Sequence, residues 1–241
     1  MSAETGSHPS YAVDRRYFNR YRDGYSPYMP ADLDLILGDL LAAIDGKPLA
    51  RVCEVGCADG QFSADLARRL GNDGRIHFMG LDIADQVLRL YPFGKLCGSA
   101  FEMPIATGSL DLVCYAGSLH HLAPFSPALA EMDRVLAPGG LAYFLEPNLL
   151  HPQRRLLVSH RTVYRFYRDA NDTPVHPYAL RTELARLGLE TLTLRFITIT
   201  FRNPGPLQRI QNAVAAIPWP VALQPYVSPW FVLIARRGDR S

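Results

Sequence analysis

The sequence predicts a doubly wound α/β domain built on a mostly parallel sheet. Strand-like and helix-like segments alternate over about 100 residues from Arg51 onward, which is the pattern of consecutive βαβ units. The apolar segment 51–55 also breaks at Gly56, and helical periodicity follows at once from Gln61. In sheets of this kind, such a break places a ligand at the carboxyl ends of the strands.

The elements follow from periodicity and from their flanking residues. A helix is predicted from Pro30 to Gly46, and a short helix with a loop at 14–28. The alternating part contains predicted strands at 51–55, 75–83, 95–98, 109–118 and 141–147, with helices at 61–70, 84–91 and 126–140. A helix at 178–190, an amphipathic segment at 207–217 and strands at 191–201 and 229–237 complete the chain.

Composition fits a soluble globular enzyme, with 48% hydrophobic and 20% charged residues. The 25 Lys and Arg against 23 Asp and Glu leave a net charge of +2, which argues against nucleic acid as a partner. No apolar stretch is long enough to span a membrane, and the polar N-terminus is not a signal peptide. The four cysteines form no zinc pattern, so we expect buried thiols, no metal and a cytoplasmic location.

We expect one domain over residues 1–241, because no repeat or linker divides the chain. Residues 1–30 are expected to form an N-terminal tail and lid. The irregular segments 148–177 and 203–228 are expected to be insertions that cap the substrate. A homodimer is compatible with the sequence.

The break after the first strand can hold a phosphate, a nucleoside or nothing. Gly56 and Gly60 let a ligand approach the backbone near the start of the following helix. Their spacing is not that of a dinucleotide fingerprint, and no Gly-Lys-Ser/Thr follows. Glu54 and Asp59 place carboxylates where a pyrophosphate would bind, which favours a ligand that carries ammonium or sulfonium charge.

Asp82 ends the second predicted strand, 22 residues after Gly60. A carboxylate in this position can accept two hydrogen bonds from a ribose diol. The alternative is that Asp82 caps the helix that starts at Ala84. With the glycine turn upstream, the ribose role is favoured.

The ordered motifs EVGCADG, GLDI, CGSAFEMPIATGSLDLV, SLHHL and EMDRVLAPGGLAYFLEPN resemble those of class I S-adenosylmethionine-dependent methyltransferases of the small-molecule, type 11-like group. The resemblance runs from about residue 50 to 148. It implies a Rossmann-like, seven-stranded sheet of order 3-2-1-4-5-7-6 with an antiparallel last strand. It also implies S-adenosyl-L-methionine as the cofactor.

The resemblance assigns roles to residues at the matching positions. Glu54, Gly56 and Gly60 would line the methionine part, and Asp82 would hold the ribose. Cys57 is also expected among the cofactor-binding residues. Ser99, Ala100 and Phe101 would border the adenine, and Ala116 with its neighbours would close the floor of the pocket. Ile83 and Phe101 would sandwich the purine, unless both are plain core residues. The family usually carries Asp where this chain has Ser99, and often Gly where it has Ala58. Asp111 is expected to bond to nearby loop backbone.

Two groups are candidates for a general base, which matters only for a weakly nucleophilic acceptor. His121 lies near the end of the SLHHL stretch of the fourth predicted strand, and Glu146 lies at the end of the fifth. Adjacent strand ends face the same cleft, so the imidazole and the carboxylate could pair. His120 is the weaker candidate. The resemblance gives these groups a role in sugar and natural-product O-methyltransferases, although many relatives carry HHL without a base.

We therefore expect methyl transfer to a small, moderately hydrophobic acceptor, by O-, N- or C-methylation, in the manner of natural-product or lipid-linked metabolite enzymes. The alternatives are an RNA or protein methyltransferase, a nicotinamide-dependent dehydrogenase, and a non-methylating member of the fold that binds the same cofactor.

Overall fold

The structure is a computed structural model that describes residues 32–159, 173–199 and 206–238. The predicted tail and lid at 1–30, including the helix at 14–28, lie outside the described residues. So do residues 160–172 and 200–205, which belong to the predicted cap segments and to the end of the strand predicted at 191–201.

Seven strands form one sheet in the order β3-β2-β1-β4-β5-β7-β6. Their bounds are β1 Arg51–Val55, β2 His77–Asp82, β3 Gly94–Cys97, β4 Leu110–Ala116, β5 Leu136–Pro147, β6 Leu189–Ile197 and β7 Trp230–Arg237. The first five strands run parallel, and β7 pairs antiparallel with both β5 and β6. The predicted fold class and strand order are confirmed.

Helices cover both faces of this sheet. They are α1 Leu33–Ile44, α2 Gln61–Arg69, α3 Asp85–Leu88, α4 Phe125–Val135, α5 Pro152–Ser159, α6 Pro177–Arg186, α7 Pro206–Ala215 and α8 Gln224–Val227. Alternate residues of each central strand point to opposite faces, so β4 contributes Val113 to one buried cluster and Leu112 to the other. The two-sided core fixes the strands whose ends form the site.

The predicted helix at 126–140 is too long, because β5 begins at Leu136. Leu136 adopts an extended conformation (φ −65°, ψ 136°), which ends α4 at Val135. Leu136 then pairs with Leu110, and the register shifts before Leu112 pairs with Leu141. The Ala-Pro-Gly-Gly run is therefore an irregularity within a strand rather than a loop after a helix.

The remaining boundaries agree with the sequence to within a few residues, apart from the predicted helix at 178–190. Gly188 has φ +84° after the end of α6, so β6 starts at Leu189, two residues earlier than predicted. Asp111 accepts hydrogen bonds from the backbone N–H groups of Ala50 and Arg51, which confirms its predicted structural role. None of the described helices is long and apolar enough to cross a membrane.

Candidate functional site

A cleft opens at the carboxyl ends of β1, β2 and β4, where the sequence predicts the ligand. Its lining comes from the 54–62 turn, the end of β2, residues around Gly98 and the turn after β4. The residues that line it are Glu54, Val55, Gly56, Cys57, Ala58, Asp59, Gln61, Phe62, Leu81, Asp82, Ile83, Val87, Gly98, Ala100, Ala116, Gly117, Ser118, His121 and Leu122.

The turn between β1 and α2 has an unusual backbone. Gly56 (φ +67°), Ala58 (φ +45°) and Gly60 (φ +80°) all occupy the left-handed region. A Cβ on Gly56 would lie 2.5 Å from Ser118 Cβ, so only glycine fits there. Ala58 adopts a conformation that costs an L-residue about 1 kcal/mol, which explains why glycine suits this position.

Asp82 holds the turn against the end of β2. Its Oδ2 accepts a hydrogen bond from the Ala58 N–H at 2.9 Å, and its Oδ1 accepts one from the Ala84 N–H at 2.8 Å. A carboxylate oxygen can accept more than one hydrogen bond, so both oxygens retain capacity toward the cleft that Asp82 lines. The backbone role and the predicted ribose role are therefore compatible.

Glu54 is buried near the end of β1, with 4% of its surface exposed. Its Oε2 accepts hydrogen bonds from the Ser63 hydroxyl at 2.5 Å and the Ser63 N–H at 3.2 Å. The Tyr91 hydroxyl in turn donates to Ser63 Oγ at 2.8 Å. Burial raises the pKa of Glu54 to about 8, because desolvation outweighs the bonds from Ser63, and the carboxylates of Asp59 and Asp82 add to the shift.

The charge of the cleft is negative. Three carboxyl groups line it, from Glu54, Asp59 and Asp82, and no Lys or Arg is found among its described lining residues. Such a site repels a polyphosphate and attracts a cation. Together with the diol-binding capacity of Asp82 and the apolar side chains of Leu81, Ile83 and Val87, this fits a cationic nucleoside.

The predicted pair of His121 and Glu146 is wrong, because Glu146 pairs with His120. His120 Nδ1 lies 2.7 Å from Glu146 Oε2. Glu146 also accepts hydrogen bonds from the N–H groups of Ser118, Leu119 and His120, and its side chain is fully buried. Leu119–His121 form one 3-10 turn, so adjacent residues diverge, and only His121 reaches the cleft.

Most of the predicted cofactor residues line the cleft, namely Glu54, Gly56, Cys57, Asp82, Ile83, Ala100 and Ala116. Three do not. Gly60 is the N-cap of α2, where a Cβ would contact Tyr91. Ser99 forms an isolated bridge with Glu102, and Phe101 packs against the core. Of the predicted purine sandwich, the structure brings only Ile83 to the cleft.

Sequence reasoning missed Ser118, Ser63 and Tyr91. Ser118 lines the cleft and donates from Oγ to the Val55 carbonyl at 2.5 Å. Its place at the start of the SLHHL motif was a usable signal. Tyr91 meets Ser63 across 28 residues, and no local pattern indicates that contact.

The sheet order is that of the Rossmann-like methyltransferase fold, and the glycine turn and the acidic cleft lie at the carboxyl ends of its strands. Residues 53–144 match the family model described as a methyltransferase domain. Residues 53–144, less than half of the chain, thus resemble a methyltransferase domain.

The chain is similar to the demethylmenaquinone methyltransferase of Lysinibacillus sphaericus (strain C3-41), with 28% identity over 129 residues, 50% of this chain and 52% of that protein. It thus spans about half the length of the curated relatives it matches. A SAM-dependent methyltransferase of Archaeoglobus fulgidus has a TM-score of 0.60 at 20% identity and covers 85% of this chain and 93% of its own. The 4+2 cyclase SpnF has a TM-score of 0.62 at 17% identity and covers 95% and 94%. These two structures share the fold.

Proposed function

We propose that the protein transfers a methyl group from S-adenosylmethionine to a small, moderately hydrophobic acceptor. The observation that carries the proposal is the cleft itself, where the Asp82 carboxylate lies beside a left-handed glycine turn and two further carboxyl groups. This chemistry suits a ribose diol and a positive charge in the same ligand.

The residues of the cleft divide into three groups. Asp82 would hold the ribose, the apolar side chains of Ile83 and Val87 would lie against the base, and Glu54 and Asp59 would face the cationic end. The bound sulfonium supplies a methyl group that is already activated for displacement. The protein then has to align the acceptor and exclude water, which are the main sources of rate enhancement in such a reaction.

His121 is proposed as the group that removes a proton from the acceptor. It lines the cleft next to Leu122, on the turn that Glu146 holds through three backbone N–H groups. His120 and Glu146 are proposed as positioning residues, because Glu146 bonds the backbone of this turn and the imidazole of His120 within it. A base is needed only if the acceptor is a phenol, an alcohol or an acidic carbon.

The acceptor class is supported by three features. Phe62 and Leu122 give the cleft apolar walls near His121. The relative named demethylmenaquinone methyltransferase supports a small-molecule acceptor. The predicted insertions at 148–177 and 203–228 are proposed to cap it, and helices α5 and α7 lie within these segments.

Isothermal titration calorimetry with S-adenosylmethionine, S-adenosylhomocysteine and NADH tests the ligand class. We expect saturable binding of the first two and none of NADH; the reverse order would overturn the proposal. A panel of phenols, alcohols and amines, read by release of S-adenosylhomocysteine, then tests the reaction. If the donor binds but no acceptor in the panel leads to release of S-adenosylhomocysteine, a non-methylating protein is favoured. A 4+2 cyclase shares the fold, which makes this the second candidate function.

A further inference from the structure

The Glu54 carboxyl group lies in surroundings that disfavour its charge. It is almost completely buried, and the charged groups that it faces are also acidic: Asp59 on the turn and Asp82 at the end of β2. The nearby thiols of Cys53 and Cys57 are neutral, because burial raises their pKa values. Within the described lining of the cleft, no Lys or Arg offsets this negative charge.

The hydrogen-bond chain around Glu54 fits both of its protonation states. Ser63 Oγ lies between Glu54 Oε2 and the Tyr91 hydroxyl, at 2.5 and 2.8 Å. Hydroxyl groups both donate and accept. An ionised Glu54 accepts from Ser63, which accepts from Tyr91, whereas a protonated Glu54 donates to Ser63, which then donates to Tyr91. Both links therefore remain bonded in either state, and the additional hydrogen of the protonated state lies at the far end of the chain, on the Tyr91 hydroxyl.

We propose that Glu54 holds a proton in the ligand-free cleft and loses it when the cationic methyl donor binds. The balance is simple: the neutral carboxylic acid and the donor cation give a carboxylate–cation pair and one proton, which goes to solvent. The inference rests on the proposed function, because it needs a positively charged ligand in this cleft. It makes Glu54 the group that senses the charge of the cofactor.

The geometry explains why the proton moves. A third carboxylate charge beside Asp59 and Asp82 is unfavourable while the cleft is empty, and burial raises the pKa of Glu54 to about 8. A cation in the cleft reverses this balance, since opposite charge at short range lowers a carboxyl pKa. His121 also lines the cleft, so any contribution it makes to proton release has to be separated from that of Glu54.

Calorimetric titration of the donor at pH 7 in three buffers of different ionisation enthalpy measures the protons released. We expect about one proton per bound donor for the wild type. The donor affinity should correspondingly rise about tenfold between pH 6 and pH 7. Glu54→Gln mimics the neutral acid, and we expect it to bind the donor with a heat that no longer depends on the buffer. His121→Asn is the matched control and should leave most of the release in place.

The outcomes are separable. If no ligand of this class binds, the proposed function fails. If the donor binds and its heat is independent of buffer in the wild type, or if Glu54→Gln releases as many protons as the wild type, the role of Glu54 is overturned. The pH dependence of wild-type affinity needs no variant, so it decides the matter even if Glu54→Gln does not fold. A flat profile from pH 6 to pH 8 contradicts the inference.

Discussion

His120 Nδ1 lies 2.7 Å from Glu146 Oε2, and His120 belongs to the same 3-10 turn as His121, which lines the cleft. One carboxylate thereby receives the imidazole contact and three backbone N–H groups. Burial raises the pKa of Glu146 to about 8, and these backbone donors act in the opposite direction. The pair anchors the turn through Glu146, while the adjacent His121 lines the cleft.

Glu146→Gln should destabilise the protein. The amide nitrogen of Gln presents hydrogens to backbone donors, so at least one buried N–H group loses its acceptor, at a cost of about 2 kcal/mol. Urea unfolding measures this loss. The control is Glu190→Gln, which removes an exposed pair with Arg236 and should change the free energy of unfolding by less than about 0.5 kcal/mol. Equal effects of the two substitutions would contradict the role of Glu146.

His121→Ala should lower turnover by about 100-fold, because the proposed base is lost. Donor affinity should change little, since Asp82 and the glycine turn remain. The measurement is S-adenosylhomocysteine release at saturating donor, with an acceptor found in the panel. Unchanged turnover would remove His121 from the mechanism. His120→Ala is the companion variant, and we expect it to reduce the free energy of unfolding because its contact with Glu146 is buried.

Asp82→Asn should weaken binding of S-adenosylmethionine by roughly tenfold to a hundredfold, because hydrogen bonds to a charged group are worth about 1.5–3 kcal/mol. Calorimetry gives the affinity directly. Asp111→Asn is a matched control, since Asp111 also accepts two backbone N–H bonds but lies at the opposite end of β1 from the cleft. We expect Asp111→Asn to bind the donor as tightly as the wild type. If both variants lose affinity to the same extent, the substitutions act on the fold and not on the cleft.

Gly56→Ala should destabilise the turn through two effects, backbone strain and overlap with Ser118. Gly71→Ala isolates the strain, because Gly71 also has a positive φ (+58°) but a Cβ added there would meet no atom within 4 Å. The strain costs about 1–2 kcal/mol, and overpacking adds about 1–3 kcal/mol. Thermal unfolding of both variants separates the two contributions. If Gly56→Ala and Gly71→Ala lower the thermal stability equally, then Ser118 moves aside at no energetic cost and the overlap contributes nothing.

Stability should fall as pH rises toward 8. The pKa of Glu54 is about 8 in the folded protein, above its ordinary 4.5, so the folded state binds the proton more tightly than the unfolded state. The resulting stability is fully present below pH 4.5 and is lost as pH rises through about 8, at up to about 1.4 kcal/mol per pH unit. Urea unfolding between pH 5 and pH 8 measures the slope. Glu54→Gln should reduce the slope of the free energy of unfolding against pH. An unchanged slope would mean that groups other than Glu54 cause the pH dependence.

The sequence by itself determined the sheet and the place of the ligand. Strand and helix periods are local, and the acidic residues Glu54 and Asp82 lie at the carboxyl ends of the first two strands, so parallel topology brings them to one edge. The spacing of Gly56 and Gly60 likewise argues against a pyrophosphate from the sequence alone.

The tertiary structure decided which side chains meet. In a 3-10 turn, adjacent side chains point in different directions. His120 therefore contacts Glu146, and His121 does not take that place. The contact of Tyr91 with Ser63 joins residues 28 positions apart, and it alone gives Glu54 its reversible hydrogen-bond chain. Local patterns carry backbone preferences, whereas these contacts depend on how separate elements pack, which no single segment encodes.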